Sequence, residues 1–174
     1  AVGMLKQLQK QDPSNSEVSY NIGKSYFENN IDDSAVIFFE STAKMMPETH
    51  FTHIAAGRAA LYKNNRTAAK EAFEKAIAVS KKNPDIIVEV GESAVKQDTG
   101  MIPWVSAVFI KNEKICKKTP GYHMVLGDIH QSQGSGGTAV GHYNQAKELD
   151  KKNPLVYMKI ANVWQGARRY DLAL

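Results

Sequence analysis

The side chains that could carry chemistry are the histidines and the single cysteine, and each lacks the partners that its chemistry needs. His50 and His53 lie three residues apart and His123 and His130 seven apart, so each pair could share a helix face. Zinc needs further ligands in tetrahedral geometry, which the neighbouring sequence does not supply. Cys116 would need an oriented base to act as a nucleophile, and the sequence designates none. We therefore expect no catalytic residue, no metal, no cofactor and no enzymatic activity.

A cluster of glycines, Gly134, Gly136, Gly137 and Gly141, resembles a phosphate-binding loop only in composition. A P-loop ends in Gly-Lys followed by Ser or Thr, because backbone amides and a lysine together hold the phosphates. Here the residues at 138–140 are Thr, Ala and Val. The glycines are therefore interpreted as a flexible turn between two helices.

The composition is that of an ordinary folded protein. The chain has 174 residues, of which 43% are hydrophobic and 23% charged. Its 22 basic and 18 acidic residues give a net charge of +4 that is spread along the chain, which does not favour nucleic-acid binding. The single cysteine excludes an internal disulfide, and no apolar run approaches the ~20 residues that a membrane span needs.

Glycine recurs with a fixed period. Gly23, Gly57 and Gly91 are 34 residues apart, and Gly127 follows 36 residues later. A period of this length is typical of stacked helical repeats. Small residues recur twelve positions after the glycine, and aromatic residues four positions further on. These residues are Ala35, Ala69 and Ala139, and Phe39, Phe73 and Tyr143. The pattern predicts two antiparallel helices per unit, which stack on the neighbouring units.

The unit boundaries are marked by the sequence Lys-Lys-x-Pro at 81–84, 117–120 and 151–154. Lysine is favourable in the last turn of a helix, and proline at the first position of the next one. The predicted units are a second helix of a preceding repeat at 1–15, repeats at 16–49, 50–83, 84–119 and 120–153, and a partial repeat at 154–174. From the two partial units we expect a piece of a longer array. The alternative is that residues 1–11 form a native cap.

The third unit departs from the period. Pro103 occupies the place where the small residue is expected. Two additional residues in the turn at 97–102 bring Val105 and Phe109 into register, and they also explain why Gly127 comes late. Pro103 then falls in the first turn of the second helix, where proline is tolerated.

The chain resembles tetratricopeptide repeat (TPR) proteins over nearly its whole length, in residue spacing, in residue type and in unit boundaries. The resemblance implies an all-α fold, an α-solenoid of antiparallel helix pairs that winds into a right-handed superhelix. It also implies that the first helix of each pair lines a concave groove. The expected function is a non-catalytic scaffold that binds a peptide or a partner protein in this groove.

The family's concave positions, carried over unit by unit, define a candidate partner-binding groove. Its residues are Tyr20, Lys24, Phe27, Phe51, Ile54, Arg58, Tyr62, Asp85, Glu89, Glu92, Met124, Asp128, Gln131, Met158 and Asn162. Some TPR proteins hold the acidic tails of heat-shock chaperones with a clamp of Lys, Asn, Asn, Lys and Arg. Here Tyr20 and Lys24 stand at the corresponding places and Ala55 replaces an asparagine, so such tails are not expected as partners.

The groove differs in chemistry along its length, with aromatic and cationic residues first, acidic residues in the centre, and methionine and amide groups last. A peptide with an apolar anchor near Phe51 and Tyr62 and basic residues over Glu89 and Glu92 would be complementary to it. The alternative is that several of these side chains, Ile54 among them, only pack between units.

Two other functions stay open. The chain could be an accessory segment of a larger enzyme or of a secretion or envelope assembly, or a self-assembly module. A weaker resemblance, in residues 126–129, 136–140 and 167–171, is to TPR proteins of Bacteroidetes bacteria, several of which are exported. It implies the periplasm or the outer membrane if this protein is exported, and the cytoplasm otherwise.

Overall fold

The computed structural model describes residues 2–167, and this range contains ten α-helices and one short 3-10 helix. The helices are α1 (Val2–Gln11), α2 (Ser16–Glu28), α3 (Asp32–Thr42), α4 (His50–Tyr62), α5 (Arg66–Val79), α6 (Pro84–Gln97), α7 (Ile102–Cys116), α8 (Pro120–Ser132), α9 (Gly136–Leu149) and α10 (Pro154–Gly166), with the 3-10 helix at Thr99–Met101. Ala1 and the last seven residues of the predicted partial repeat, 168–174, lie outside the described residues. Among the helices of this range, none is long and apolar enough to cross a membrane.

The helices pack in two layers. Consecutive helices form the pairs α2–α3, α4–α5, α6–α7 and α8–α9. The first helices also contact one another, α2 with α4, α4 with α6 and α6 with α8, so they form an inner layer in continuous contact. The second helices form the outer layer. This is the all-α solenoid of helix pairs that the sequence predicts, while the exact bounds of the repeats stay a prediction.

The recurring glycine allows the two helices of each pair to close on an aromatic ring. The four contacts are Gly23–Phe39, Gly57–Phe73, Gly91–Phe109 and Gly127–Tyr143. At Gly91, for example, an added Cβ would lie 2.6 Å from the ring of Phe109. Side-chain carbons do not approach this closely in a packed interior, so any larger residue would displace the ring. The period of the glycines is therefore a packing requirement that recurs once in each pair.

The third pair is two residues longer than the second. The first residues of α6 and α7 are 18 positions apart, against 16 for α4 and α5. One additional residue extends α6, which has 14 residues against 13 in α4, and the other lies in the turn. In this turn the Asp98 carboxylate accepts a hydrogen bond of 2.8 Å from the backbone N–H of Gly100. The predicted return to register is seen, since Val105 and Phe109 are buried, but only one of the two additional residues lies in the turn, where the sequence predicted both.

The other three pairs close through a residue in the left-handed conformation. Asn30, Asn64 and Gly134 have φ of 57°, 55° and 75°, each two positions after the end of the first helix. Asparagine and glycine are the residues that adopt this conformation most readily. The glycine cluster predicted as a turn therefore contributes one turn residue, and Gly136 and Gly137 begin α9.

Two apolar clusters form the core of the described residues. The larger cluster runs from α2 to α8 and includes Phe73 and Phe109, and the smaller one joins α9 and α10 around Tyr143. Cys116 is fully buried in the larger cluster. Burial, together with the nearby Asp85, raises the pKa of its thiol to about 11. At neutral pH the thiol is therefore protonated and packs as a small apolar group.

Candidate partner-binding groove

The predicted groove residues lie on five helices, and three of these residues are buried. Tyr20, Ile54 and Arg58 are 1%, 0% and 2% exposed, so they lie inside the layer and not on the open groove that the sequence predicted for them. The reason is that the first helices pack side by side, and the same faces that point toward the groove also contact the neighbouring helix. Ile54 thus packs between helices, as the alternative prediction expected.

Four side chains from α2 and α6 form what we call the N-terminal charged cluster: Tyr20, Lys24, Glu89 and Ser93. Lys24 Nζ donates to both carboxylate oxygens of Glu89 at 2.8 Å. The Tyr20 hydroxyl donates to Glu89 Oε1 at 2.5 Å and lies 3.1 Å from Ser93 Oγ. The Lys24 and Glu89 side chains are 25% and 20% exposed, so water screens the pair only in part. Because α2 and α6 belong to pairs that are not adjacent, this cluster reaches across α4.

The ionisation of the N-terminal charged cluster follows from these contacts. Burial acts to raise the pKa of Glu89, but the attraction of Lys24 and the hydrogen bonds from Lys24 and Tyr20 outweigh it and hold the pKa below its ordinary value. Burial first, and the charge of Glu89 second, raise the pKa of Tyr20, so its hydroxyl remains a donor. At neutral pH Glu89 is a carboxylate whose oxygens already have partners. It is not the open acidic subsite that the sequence predicted.

Arg58 lies beneath the groove between two aromatic rings. Its guanidinium carbon is 4.3 Å from the ring centre of Phe27 and 4.4 Å from that of Phe39. Such cation–π contacts contribute roughly 0.5–2 kcal/mol each, the larger values applying to desolvated groups. The buried Nε and Nη2 have no acceptor among residues 2–167. The backbone carbonyl of Arg58 accepts a hydrogen bond of 2.9 Å from Gln97 Nε2, which ties α4 to α6.

Glu92 also has a partner on its own helix. Lys96 Nζ lies 2.6 Å from Glu92 Oε1, and the two side chains are 39% and 29% exposed. Burial acts to lower the pKa of Lys96, but Glu92, together with Glu28 and Asp128, outweighs it and raises the pKa. Lys96 thus sits in the groove among carboxylates from three helices. Lys96 is not among the groove residues predicted from the sequence, although it lies five residues after Gly91, as Tyr62 does after Gly57.

Further along, α8, α9 and α10 contribute what we call the C-terminal charged cluster: Asp128, Gln131, Tyr143 and Lys159. Lys159 Nζ donates to Asp128 Oδ1 at 2.6 Å, and the Tyr143 hydroxyl donates to the same oxygen at 2.7 Å. Tyr143 also reaches Gln131 Oε1 at 3.0 Å. Burial and the neighbouring Asp128 raise the pKa of Tyr143, so it too remains a donor.

Three aromatic side chains of the predicted groove are half-buried at its N-terminal end: Phe27, Phe51 and Tyr62. The Phe51 ring lies 5.7 Å from that of Tyr20, and the Tyr62 hydroxyl donates to Asp32 Oδ1 at 2.8 Å. Aromatic surface held in place in this way is typical of the anchor points of protein interfaces.

The other predicted groove residues are spread more widely. Asp85 is exposed in the first turn of α6, and it is close enough to influence Cys116 on the outer layer. Met124 is half-buried against the smaller apolar cluster. Met158 is 53% exposed on α10, and Asn162 is exposed on the same helix. The structure therefore groups the candidates into an aromatic end, a row of ion pairs and an exposed end on α10.

The comparisons with known proteins agree with this architecture. A model of the tetratricopeptide repeat matches residues 52–83, which lie in α4 and α5 and in the turn between them. A solved structure of a thermophilic TPR protein from Thermus thermophilus superposes with a TM-score of 0.65 at 18% identity, covering 91% of this chain and 86% of that one. Residues 52–83 therefore match a tetratricopeptide repeat, and the chain shares the fold of TPR proteins. No curated protein matches it.

Two other solved structures are similar to this chain. One is a TPR protein from Parabacteroides merdae, with a TM-score of 0.64 at 12% identity over 93% of this chain and 62% of that one. The other is YrrB, described as a TPR protein with an unusual peptide-binding site, with a TM-score of 0.50 at 15% identity over 100% of this chain and 89% of that one. At these identities the similarity shows the fold alone.

Three histidines stack at the junction of α8 and α9. The ring of His142 lies 5.2 Å from that of His130 and 6.0 Å from that of His123, at interplanar angles of 6° and 24°. Burial, followed by the two neighbouring imidazoles, lowers the pKa of His142. Within residues 2–167, no group of three or more His, Cys, Asp or Glu side chains is placed to hold a metal. Sequence spacing linked His123 to His130 but could not add His142 from the next helix.

Proposed function

We propose that this TPR protein is a non-catalytic scaffold whose concave groove binds a peptide or a segment of a partner protein. The observation that carries the proposal is the inner layer itself, in which α2, α4, α6 and α8 form one continuous surface. A surface of this kind offers many contact positions to an extended ligand, as repeat proteins commonly do. YrrB, which shares the fold, is described as having a peptide-binding site.

The proposed partner carries an apolar or aromatic residue and a basic residue. The apolar residue would contact the half-buried rings of Phe27, Phe51 and Tyr62 at the N-terminal end. The basic residue would compete with Lys96 for Glu92, because this pair lies within one helix, is partly exposed and is therefore weak. Glu89 is excluded from this role since its oxygens are already bonded within the N-terminal charged cluster.

The remaining candidates extend the proposed groove toward α10. Asp128 and Gln131 supply acceptors within the C-terminal charged cluster, and Met158 and Asn162 supply exposed surface. Partners with acidic tails are not proposed, because the groove lacks the clamp residues and its two best-defined cations, Lys24 and Lys159, are paired.

The test is a titration of a library of basic–aromatic peptides against the wild type and Glu92→Lys. We expect Glu92→Lys to weaken the best peptide roughly tenfold, since the change replaces an attraction by a repulsion at a half-exposed site. Glu113→Lys, an equal change of charge on an exposed residue of α7 in the outer layer, is the matched control and leaves the affinity unchanged. Equal binding by the wild type and Glu92→Lys would contradict the proposed subsite.

A further inference from the structure

Open clefts lie between the helices of the outer layer. Clefts of 420, 450 and 680 Å³ separate α3 from α5, α5 from α7 and α7 from α9. They arise because the first helices are in direct contact, so the curvature of the solenoid spreads the second helices apart. Each cleft is therefore an inter-helix furrow on the opposite side of the protein from the groove.

The cleft between α5 and α7 has an apolar floor with an aromatic anchor. Ile77, Trp104 and Val108 line the floor. The Trp104 ring stacks on Phe73 at 5.9 Å with an interplanar angle of 28°, which holds it in place. Its indole N–H is 3.5 Å from Glu74 Oε1, at the outer limit of a hydrogen bond, so it remains available to a stronger acceptor. Tryptophan held in this way is the residue most enriched at the energetic centre of interfaces.

The lining of the cleft follows one face of α7. The positions three, four, seven and eight residues after Trp104 line the cleft and share that face, and they are Ala107, Val108, Lys111 and Asn112. Ile115, eleven residues after Trp104, lies on the same face and is 43% exposed. The α5–α7 cleft is thus a stripe that follows the length of two helices, and α5 alone, with its 14 residues, spans about 21 Å at 1.5 Å per residue.

Lysines without partners border this stripe. Lys82 and Lys111 line the α5–α7 cleft, and neither makes an ion pair with any residue that the structure describes. The other two clefts differ. The α3–α5 cleft is lined by alanines and by two lysines, of which Lys63 is paired with Glu40, and its lining has no aromatic residue. The α7–α9 cleft has an aromatic residue, Tyr122, and one lysine, but its two glutamates outnumber that lysine. In the α5–α7 cleft two lysines outnumber the single glutamate, Glu74, so an aromatic anchor and an excess of positive charge occur together in this cleft alone among the three.

We propose that the α5–α7 cleft is a second docking site, whose occupant is an amphipathic helix of a partner protein with acidic residues flanking its apolar stripe. A helix fits a furrow between two helices by placing residues at i, i+3, i+4 and i+7 into it. Acidic flanks complement Lys82 and Lys111, and the indole of Trp104 contacts the apolar stripe. The site is on the opposite layer from the proposed groove and is independent of it.

The test uses the fluorescence of Trp104 in the full chain with Trp164→Phe, which leaves one tryptophan. The probe is a 14-residue helical peptide with leucine at i, i+3, i+7 and i+10 and glutamate on both flanks. We expect a saturable change in emission. Lys82→Glu with Lys111→Glu weakens binding roughly tenfold, because two exposed attractions become repulsions. Lys114→Glu, an exposed lysine of the same helix off the stripe, changes the affinity less than twofold.

Several results would overturn the site. They are an unsaturable signal, equal weakening by Lys111→Glu and Lys114→Glu, and equal binding of a peptide in which lysine replaces every glutamate. If the protein without peptide self-associates in light scattering, and Lys111→Glu abolishes this, then the occupant is a second copy and the proposed partner is wrong. The Glu92→Lys variant keeps its affinity for the helical peptide, so failure of the groove and failure of the cleft are separable.

Discussion

The two charged clusters of the inner layer are similar in composition but differ in what surrounds them. In each, one carboxylate accepts hydrogen bonds from a lysine and a buried tyrosine. The N-terminal charged cluster adjoins the larger apolar core and the buried Arg58, whose charge also acts on Glu89 and Tyr20. The C-terminal charged cluster adjoins the smaller core, and its tyrosine has a second acceptor in Gln131.

This difference shows how the same combination of side chains can be needed for stability in one place and replaceable in another. Without Glu89, the hydroxyl of Tyr20 keeps only Ser93, and Lys24 loses its counter-charge. Without Asp128, Tyr143 keeps Gln131, and Lys159 still lies 5.8 Å above the Tyr143 ring. A second hydrogen-bond partner reduces the stability lost when the first is removed, since most of that loss comes from buried polar groups left without any partner.

The largest effect is expected for Glu89→Ala, which should lower the free energy of unfolding by about 2–4 kcal/mol, because it leaves the largely shielded Lys24 without its counter-charge and the buried Tyr20 hydroxyl with Ser93 as its last partner. Urea denaturation measures it. Glu92→Ala is the matched control on the same helix, and its loss should stay below ~0.5 kcal/mol, as for other exposed pairs within one helix. Similar losses for the two variants would remove the distinction between the buried cluster and an ordinary surface pair.

A smaller loss, about 1–2 kcal/mol, is expected for Asp128→Ala, since Tyr143 retains an acceptor. Hydrogen exchange should locate the loss in α8, α9 and α10, and α2 to α6 should keep their protection. If Asp128→Ala destabilises the protein as much as Glu89→Ala does, the two clusters are equivalent and the role assigned to Gln131 is wrong.

The smallest expected effect is a difference between the two regions in how their stability depends on pH. Burial, and then His130 and His123, lower the pKa of His142 in the folded chain, so unfolding takes up a proton below about pH 6.5 and stability falls as the pH drops through that value. The pKa of Glu89 is also lowered, so the stability that it provides is lost only below its ordinary value of 4.5. Between pH 6.5 and 5, hydrogen-exchange protection factors, which correct for the intrinsic rate at each pH, should therefore fall in α8 and α9. They should also fall at the start of α4, where burial lowers the pKa of His50, and those of α6 should stay unchanged.

The control for this pH dependence is His142→Gln, which keeps a polar side chain but cannot be protonated in this range. We expect it to remove most of the difference in exchange between pH 7 and pH 5.5. An unchanged difference would show that other groups control the acid response of α8 and α9.

The sequence predicted the architecture because the architecture is local. The close approach of Gly91 to Phe109 involves residues of one helix pair, so it recurs at a fixed interval and is visible as a period. The same phase would have found Lys96, the counterpart of Tyr62. The two-residue insertion was also predictable, because Val105 and Phe109 must return to register with the other pairs.

The chemistry of the groove was less predictable because it is non-local. Lys24 and Glu89 are 65 residues apart on helices of non-adjacent pairs, and a repeat period does not show which charges meet across such a distance. For the same reason, the sequence described Glu89 as open and Tyr20 and Arg58 as groove residues. Burial in the inner layer depends on how the helices are inclined to one another, which residue types at single positions do not fix.

The bond between Lys24 and Glu89 has a mechanical consequence. It joins the first and third helix pairs across the second, so it opposes any bending that moves α2 and α6 apart. Because both side chains are partly exposed, dissolved ions partly screen their attraction, and the ion pair weakens as ionic strength rises. A ligand charge that competes for either end would have the same effect. Salt concentration and ligand charge would therefore both change how readily the array bends between its first and third helix pairs.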